Sequence, residues 1–218
     1  MLGILTVNLG GVRQINKLEP LIKAIKRLMS DVIVLQEVTD VKEGIPSILA
    51  SIKEAVQYPH YDFERSHNYS QDYGKGVLQR NKLIEGLGMI SKISLNKERF
   101  DLPIIRGLDR WPRIAVRYSN KEFSLCSMHL SKHYESRKAC IGTLPVADIY
   151  AGDFNMQPEE FNTYFKGVNS WDVKRYVSFP AKSITLDYVF VKKGKISQVE
   201  TVNGFSDHSA VFAKIELL

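Results

Sequence analysis

Short apolar runs and amphipathic stretches alternate in the first quarter of the sequence. Residues 3–9 and 31–36 are nearly continuous apolar runs, which is typical of buried strands. Between them, residues 17–30 place apolar side chains at helical spacing on one face and lysine and arginine on the other. A second amphipathic helix is predicted over residues 45–57. The chain therefore begins as strand, helix, strand, helix.

The rest of the chain consists mainly of strand patterns. Strands are predicted over residues 86–91, 113–118, 122–129, 147–152, 186–192, 196–202 and 209–216. A short helix is predicted over 158–166, and the polar stretch 67–82 is predicted to be a long loop of the kind that often carries function. Without a repeat or a linker, this order indicates one α/β domain over residues 1–218, with sheets inside and helices outside.

Charge and cysteine content narrow the class of protein. The 218 residues carry a net charge of +6, which favours polyanionic partners such as nucleic acid, although many basic proteins bind none. Cys126 and Cys140 are too few for a disulfide framework, so we expect reduced, structural thiols. No apolar run approaches the roughly 18 residues of a membrane span, and the N-terminus has no signal-peptide pattern. We therefore expect a cytoplasmic monomer, although a chain whose signal peptide had been removed would look the same.

Polar residues recur where the predicted strands begin or end. They are Asn8, Glu37, His129, Asp153, Asn155, Asp187, Asp207 and His208. Taken singly, each has an ordinary structural explanation, such as a turn, a surface charge or a hydrogen-bonded histidine. Together, the carboxylates and carboxamides suit a hard cation such as Mg²⁺, and the two histidines can transfer protons and stabilise phosphate charge. Such a set is chemically coherent with metal-assisted hydrolysis of a phosphoester.

Seven short stretches carry these residues along nearly the whole chain. They are 6–9 (TVNL), 31–38 (DVIVLQEV), 85–92 (EGLGMISK), 128–131 (MHLS), 152–155 (GDFN), 186–191 (LDYVFV) and 206–208 (SDH). In content and order they resemble the motifs of the endonuclease/exonuclease/phosphatase superfamily, which includes pancreatic deoxyribonuclease, neutral sphingomyelinases and inositol-polyphosphate phosphatases. The resemblance implies a four-layer α/β/β/α sandwich of two mainly antiparallel sheets flanked by helices. It also implies a phosphoester hydrolase that depends on Mg²⁺ or Mn²⁺.

The resemblance assigns metal binding to three of these residues. Asn8 and Glu37 would bind the metal, with Glu37 as the principal ligand, and Asp207 would lie close to this metal or to a second one. Asp153 would position and polarise the attacking water. Asn155 would hold a phosphate oxygen.

The same resemblance pairs each histidine with a carboxylate. His129 would stabilise the phosphorane or protonate the leaving group, and Glu85 would orient its ring. His208 would act as general base or as a second phosphate clamp, and Asp187 would orient it. This double pairing is similar to the deoxyribonuclease and sphingomyelinase side of the superfamily and unlike dedicated abasic-site endonucleases.

One departure from the family pattern bears on the shape of the site. Only 23 residues lie between His129 and Asp153, and Arg137 stands where many members begin a long helix. We therefore expect this helix to be shortened or absent and the site to be more open.

The substrate is predicted from aromatic and basic residues outside the seven stretches. Arg113 resembles a phosphate-contacting arginine of pancreatic deoxyribonuclease, and Tyr73 and Arg80 mix stacking and charge within the predicted loop. The pattern fits a second interpretation equally well, in which Trp111 packs under the sheet and the neighbouring arginines are solvated.

Three functions fit these observations. The first is a nuclease acting on DNA before RNA, whose activity would fall steeply with salt. The second is a phosphatase or phosphodiesterase acting on inositol phosphates, phospholipid headgroups or another small phosphoester, with weak salt dependence and a deep pocket. The third is a non-enzymatic binding module, against which the complete set of catalytic residue types argues.

Overall fold

The described part of the chain forms two six-stranded sheets at the centre of the molecule. The computed structural model of the chain describes residues 1–40, 47–68, 84–109, 111–165, 169–170 and 176–218. The first sheet contains β1 (Leu2–Asn8), β2 (Val32–Asp40), β3 (His60–Asn68), β4 (Ile84–Ser91), β11 (Gly194–Val202) and β12 (Ala210–Leu217), in the spatial order β11-β12-β1-β2-β4-β3. The second contains β5 (Asn96–Asp101), β6 (Ile114–Ser119), β7 (Ser124–His129), β8 (Ile149–Asp153), β9 (Asn169–Ser170) and β10 (Asp187–Val191), in the order β5-β6-β7-β8-β10-β9.

Four α-helices lie within the described residues. They are α1 (Glu19–Leu28), α2 (Ser47–Val56), α3 (Tyr134–Ile141) and α4 (Pro158–Tyr164). A 3-10 turn over Ile15–Leu18 leads into α1, and Pro20 lies in the first turn of that helix, where a missing N–H costs nothing. None of the described helices is long and apolar enough to cross a bilayer.

Three apolar clusters separate the layers. Ile25 of α1 and Ile52 of α2 belong to the cluster on the outer face of the first sheet, and Ile4 and Val116 belong to the cluster between the two sheets. The third cluster lies on the other face of the second sheet and includes Phe161 of α4. Burial of each such side chain contributes about 1.5–3 kcal/mol. The layers therefore run helix, sheet, sheet, helix, and the predicted four-layer sandwich is confirmed.

Most of the strand ladders are antiparallel, as predicted. Among the described strands, the parallel pairs are β1 with β2 and β7 with β8. A parallel pair brings two carboxyl ends to the same edge of a sheet. Asn8, His129 and Asp153 are the last residues of β1, β7 and β8, whereas Glu37 lies within β2 and Asp187 begins β10. Cys126 and Cys140 are both buried and free, which confirms the prediction of reduced thiols.

The sequence pattern missed the two-residue strand β9 and two longer strands, β3 and β5. Both lie at sheet edges, and β5 is largely exposed, so neither shows the apolar pattern by which the other strands were recognised. The prediction that residues 67–82 form a loop is wrong at its start, because His67 and Asn68 belong to β3. Residues 69–82 of that prediction lie outside the described residues.

Charged side chains join these two edge strands across the gap between the sheets. Arg99 of β5 donates to Glu64 of β3 through Nη1 and Oε1 at 2.7 Å. Lys97 Nζ lies 2.8 Å from Asp62 Oδ1 and 3.0 Å from Glu64 Oε2. Burial raises the pKa of Glu64, but the hydrogen bonds and charges of Arg99 and Lys97 outweigh it and lower that pKa.

Candidate active site

Strand register brings candidate residues to the same end of both sheets. In the parallel β1–β2 pair, Asn8 lies opposite Gln36, the residue before Glu37. In the parallel β7–β8 pair, His129 lies opposite Asp153, and the antiparallel β8–β10 pair places Asp187 opposite Asp153. Residues distant in sequence thus become neighbours through backbone pairing alone.

Asn8 connects the two sheets at this point. Its Nδ2 donates to Asp153 Oδ2 at 2.9 Å and to Glu37 Oε1 at 3.2 Å. Its Oδ1 accepts the backbone N–H of Gly10 at 2.9 Å. Asn8 and Asp153 are buried and Glu37 is partly exposed, so the amide holds the two carboxylates together at the boundary between the interior and solvent.

A β-bulge directs Glu37 into the site. The β2–β4 register shifts between Leu35 and Val38, and Glu37 within this bulge has a φ of 51°. A positive φ is uncommon for a non-glycine residue, and both bulges and such strain concentrate at functional sites. The bulge gives Glu37 a half-exposed position, with Oε1 3.9 Å from His129 Nε2.

His129 faces two carboxylates but forms no hydrogen bond through Nε2. This nitrogen lies 3.5 Å from Asp153 Oδ2, and it is buried without a partner among the described residues. Burial, followed by the charges of Arg113 and His208, lowers the pKa of His129 well below its usual value. The ring is therefore neutral near pH 7, and its Nε2 faces the carboxylates of Asp153 and Glu37.

His208 is held by a buried carboxylate. Its Nδ1 lies 2.8 Å from Asp187 Oδ2, and its Nε2 lies 4.0 Å from Asp153 Oδ2. Burial lowers the pKa of His208, but the hydrogen bond and charge of Asp187, with the charges of Asp153 and Asp207, outweigh it and raise the pKa to about 9. The ring is therefore largely cationic at neutral pH.

Ser178 fixes the segment that leads into Asp187. Its Oγ accepts the backbone N–H of Leu186 at 2.8 Å and that of Asp187 at 2.9 Å. The N–H of Ser209, next to His208, donates to the carbonyl of Ser178 at 2.7 Å. Ser178 thus links both members of the Asp187–His208 pair.

Asp153 lies between the two histidines. Burial, followed by the nearby charge of Asp187, raises its pKa to about 7, although His208, the N–H of Asn155 and Asn8 act in the opposite direction. Its Oδ1 accepts the Asn155 N–H at 2.8 Å. Asn155 has a φ of 51° and donates through Nδ2 to the carbonyl of Leu130, so a single turn fixes both residues.

Asp207 is exposed and lies at the edge of the group formed by Asn8, Glu37, Asp153 and the two histidines. Its Oδ1 accepts a hydrogen bond from Ser206 Oγ at 3.2 Å, and the same hydroxyl contacts the carbonyl of Asn8 at 2.9 Å. Gly10 has a φ of 55°, and a Cβ there would lie 2.5 Å from Asp207 Oδ1. A glycine at this position allows the loop after β1 to approach Asp207 closely.

A cleft of about 530 Å³ opens beside His129. It is lined by Glu37, Glu85, Gly107, Leu108, Asp109, Trp111, Arg113, His129, Ser131, Lys132 and His133. Glu85 and His129 share this cleft, and Arg113 is half-buried in its wall. The alternative in which Trp111 packs under the sheet is wrong, because Trp111 lines the cleft. Tyr73 and Arg80 lie outside the described residues.

His67, which is not among the predicted site residues, lies behind this wall. Its ring stacks on Trp111 with centroids 5.0 Å apart and planes inclined by 21°, and its Nε2 lies 4.0 Å from Glu85 Oε1. No motif marks His67, since its place depends on the pairing of β3 with β4. A polar residue opposite Glu85 in that ladder is a signal that only the register reveals.

Helix α3 is short, which confirms the predicted shortening. Arg137 within it is buried and forms two hydrogen bonds with Glu160 of α4, at 2.8 and 2.6 Å. Its Nη1 also donates to the carbonyls of Ser131 and Lys132. The guanidinium therefore fixes the segment that follows His129.

Among the described residues, two groups could hold a divalent cation. Asp153, Asp187 and His208 each offer a ligand atom, and these atoms lie within 4.8 Å of one another. The other group consists of Asn8, Glu37 and Asp207, whose oxygens are the donors that hard cations prefer. Glu37 is only partly buried, so an ion could reach it, whereas the first group is occupied by the Asp187–His208 hydrogen bond.

This fold and this buried centre define an α/β-sandwich hydrolase. The model of the Endonuclease/Exonuclease/phosphatase family matches residues 5–208, so the chain belongs to that family. Members of the family are phosphoester hydrolases and generally use a divalent metal.

Solved structures share the fold at low sequence identity. An endonuclease/exonuclease/phosphatase from Beutenbergia cavernae has a TM-score of 0.75 at 18% identity, over 99% of this chain and 71% of that one. D. rerio TDP2, complexed with single strand DNA product, has a TM-score of 0.67 at 15% identity, over 99% and 98% of the two chains. The human Nocturnin catalytic domain with bound sulfate has a TM-score of 0.65 at 17% identity, over 100% and 93%. No curated protein matches the chain in sequence.

Proposed function

We propose that this protein is a divalent-metal-dependent nuclease that hydrolyses DNA before RNA. The observation that carries the proposal is the position of Asp153, whose Oδ2 lies 3.5 Å from His129 Nε2 and 4.0 Å from His208 Nε2. A carboxylate between a neutral and a cationic imidazole can accept a proton from water while the rings face the phosphate oxygens.

Within this proposal, Asp153 is the general base and His208 is the phosphate clamp. The pKa of Asp153, raised to about 7 by burial and by Asp187, suits a group that must gain and lose a proton near neutral pH. The pKa of His208, near 9 because of its carboxylate neighbours, suits a fixed cation instead. The water oxygen bonds to phosphorus and its proton passes to Asp153 Oδ2 as the ester P–O bond breaks. The leaving alkoxide then takes up a proton from solvent, and Asp153 releases its own to solvent.

His129 and Asn155 would bind the other phosphate oxygens. A neutral His129 with a proton on Nε2 can donate to the oxygen on which charge develops, and this nitrogen is the buried atom left without a partner among the described residues. We propose that Glu85, which shares the cleft, orients His129. Asn155 is held in place by Leu130 and Asp153.

The metal would be held by Glu37, with Asp207 and Asn8 beside it. A divalent cation there would neutralise phosphate charge and orient the ester. The amide of Asn8 presents its nitrogen to the carboxylates, so it would have to turn over to offer its oxygen. That rotation leaves the outline of the side chain unchanged.

Charge supports nucleic acid as the substrate. The chain carries a net charge of +6, and Arg113 and Lys132 line the cleft beside His129. The complex of D. rerio TDP2 with single strand DNA product adds support from a protein of the same fold. A second candidate, a small phosphoester, is favoured by the cleft volume of about 530 Å³, which lies within the usual range for small-molecule sites.

The deciding experiment offers plasmid DNA, single-stranded DNA and RNA to the protein in Mg²⁺ or Mn²⁺, with an EDTA control. His208→Ala tests the site, and His60→Ala at the far end of β3 is the matched control. We expect metal-dependent cutting that only His208→Ala loses, with activity falling steeply as salt rises. Turnover of inositol phosphates or a lipid phosphodiester without any cutting of polymer would overturn the nuclease assignment.

A further inference from the structure

One wall of the cleft is aromatic and lies next to the catalytic residues. The segment between β5 and β6 contributes Gly107, Leu108 and Trp111 to the lining, and Leu108 is exposed. His129 and Glu37 line the same cleft. A group that projects from a phosphate bound at His129 would therefore meet this wall.

The indole of Trp111 is supported from behind by His67. The two rings are nearly parallel, and His67 is buried. The Ser66 hydroxyl uses its single hydrogen on the carbonyl of Glu85, at 2.9 Å, so it accepts from His67 Nδ1 at 3.0 Å. This chain of contacts fixes the plane of the imidazole and hence that of the indole stacked on it.

A second contact joins the two sides of the cleft. Ser131 Oγ donates to Asp109 Oδ1, and Asp109 Oδ2 accepts the backbone N–H of Ile105. Ser131 lies two residues after His129, so Asp109 ties the aromatic segment to the catalytic strand. A wall fixed in this way loses little conformational entropy when a ligand packs on it.

Two cations line the same cleft as the aromatic wall. Arg113, two residues after Trp111, lines the cleft and is close enough to His129 to lower its pKa. Lys132, three residues after His129, also lines the cleft. A flat indole and two cations in one cleft offer both a stacking surface for a base and charge for a phosphate of one nucleic-acid strand.

We propose that Trp111, backed by His67, is a stacking platform for the nucleobase next to the scissile phosphate, so that the enzyme acts on unpaired strands in preference to duplex. The proposal rests on the nuclease function proposed above and adds the form of the substrate. In duplex DNA each base is already stacked and paired, and removing it from the stack costs a few kcal/mol. A single strand offers the face of its base without that cost.

The test measures kcat and KM on a labelled single-stranded oligonucleotide and on the same strand with abasic spacers in place of the bases. Trp111→Ala is compared with Trp111→Phe, which keeps a flat ring, and with Tyr61→Ala, an exposed aromatic at the far end of β3. We expect Trp111→Ala to raise KM for the base-containing strand by roughly 5- to 100-fold. The abasic strand should be cut equally by wild type and variant, and Trp111→Phe should retain most of the preference.

Equal losses on both strands, or no loss on either, would overturn the platform while leaving the nuclease assignment intact. A binding measurement separates the two proposals further. In EDTA, an oligonucleotide containing 2-aminopurine should lose fluorescence on binding wild type, by stacking, but not on binding Trp111→Ala. If the 2-aminopurine fluorescence is quenched but the strand is not cut when metal is added, only the nuclease function is contradicted. If the strand binds without quenching, only the stacking platform is contradicted. Absence of binding would defeat both.

Discussion

The Nδ1 of His208 lies 2.8 Å from Oδ2 of Asp187, and both side chains are buried. The carboxylate fixes the ring so that Nε2 faces the centre, and its charge is a main cause of the raised pKa of His208. We expect Asp187→Asn to lower kcat by about 10²- to 10⁴-fold with the fold retained, since an amide no longer stabilises the imidazolium. Steady-state kinetics beside circular dichroism measure this.

Asp101→Asn is the control for that substitution, because Asp101 is an exposed aspartate on β5. Its activity should match that of the wild type. Activity of Asp187→Asn within about threefold of the wild type would show that the pair is structural only.

Metal binding should stabilise the fold through Glu37. A cation that binds only the folded chain, at about 100 times its dissociation constant, adds about 2.7 kcal/mol, or roughly 5–10 °C in Tm for a domain of this size. We expect Mg²⁺ or Mn²⁺ to raise Tm in the wild type and in Glu98→Gln, an exposed control, but not in Glu37→Gln. Differential scanning fluorimetry measures the Tm of all three proteins. An equal rise in Tm in all three would mean that the ion binds elsewhere.

Ser178 should contribute to stability through its two backbone contacts. Ser178→Ala leaves the N–H groups of Leu186 and Asp187 without their acceptor, and we expect a loss of about 1–3 kcal/mol in the free energy of unfolding. Ser197→Ala removes an exposed hydroxyl and should change it by less than about 0.5 kcal/mol. Urea denaturation of both variants measures the difference, and equal values would contradict the role of Ser178.

Removing one partner of the Arg137–Glu160 pair should lower the free energy of unfolding more than replacing both partners. Arg137→Met leaves Glu160 and the carbonyls of Ser131 and Lys132 unpaired, so we expect a loss of about 2–4 kcal/mol. The double variant Arg137→Met/Glu160→Met should recover part of that loss, because no unpaired carboxylate remains. A double-mutant cycle in denaturant measures these losses. A loss in the double variant larger than the sum of the two single losses would contradict this expectation.

The cross-sheet ion pairs should give an acid-sensitive contribution to stability. The pKa of Glu64 is lowered in the folded protein, so its contribution is fully present above the ordinary value of 4.5 and disappears as the pH falls through the folded value. We expect the wild type to exceed Glu64→Gln by up to about 1 kcal/mol at pH 7 and by nothing near pH 2, since these groups are partly solvated. Urea titrations across pH measure the difference.

High salt provides the control for that comparison. In about 1 M NaCl the difference between wild type and Glu64→Gln should shrink, because the Debye length falls to about 3 Å. A difference that persists unchanged at pH 2 and in high salt would mean that Glu64 acts through packing instead of charge.

Local pattern was sufficient where burial or helical periodicity left a trace in the sequence. The strands of the two sheet centres and helix α1 follow from apolar runs and spacing, because each buries a continuous face. Strands β3 and β5 did not follow, since edge strands carry charged residues such as Glu64 and Arg99, whose pairing across the two sheets exists only in the folded chain.

The sequence by itself determined the family, the layered fold and the identity of the polar residues at the strand ends. Tertiary structure alone decided their arrangement: register set Asp153 opposite His129 and Asp187, a bulge turned Glu37 inward, and Asn8 bridged the sheets. It also placed His67 behind Trp111. The physical reason is that distances, burial and pKa values arise from residues brought together across the chain, and these pairings leave no local trace in the sequence.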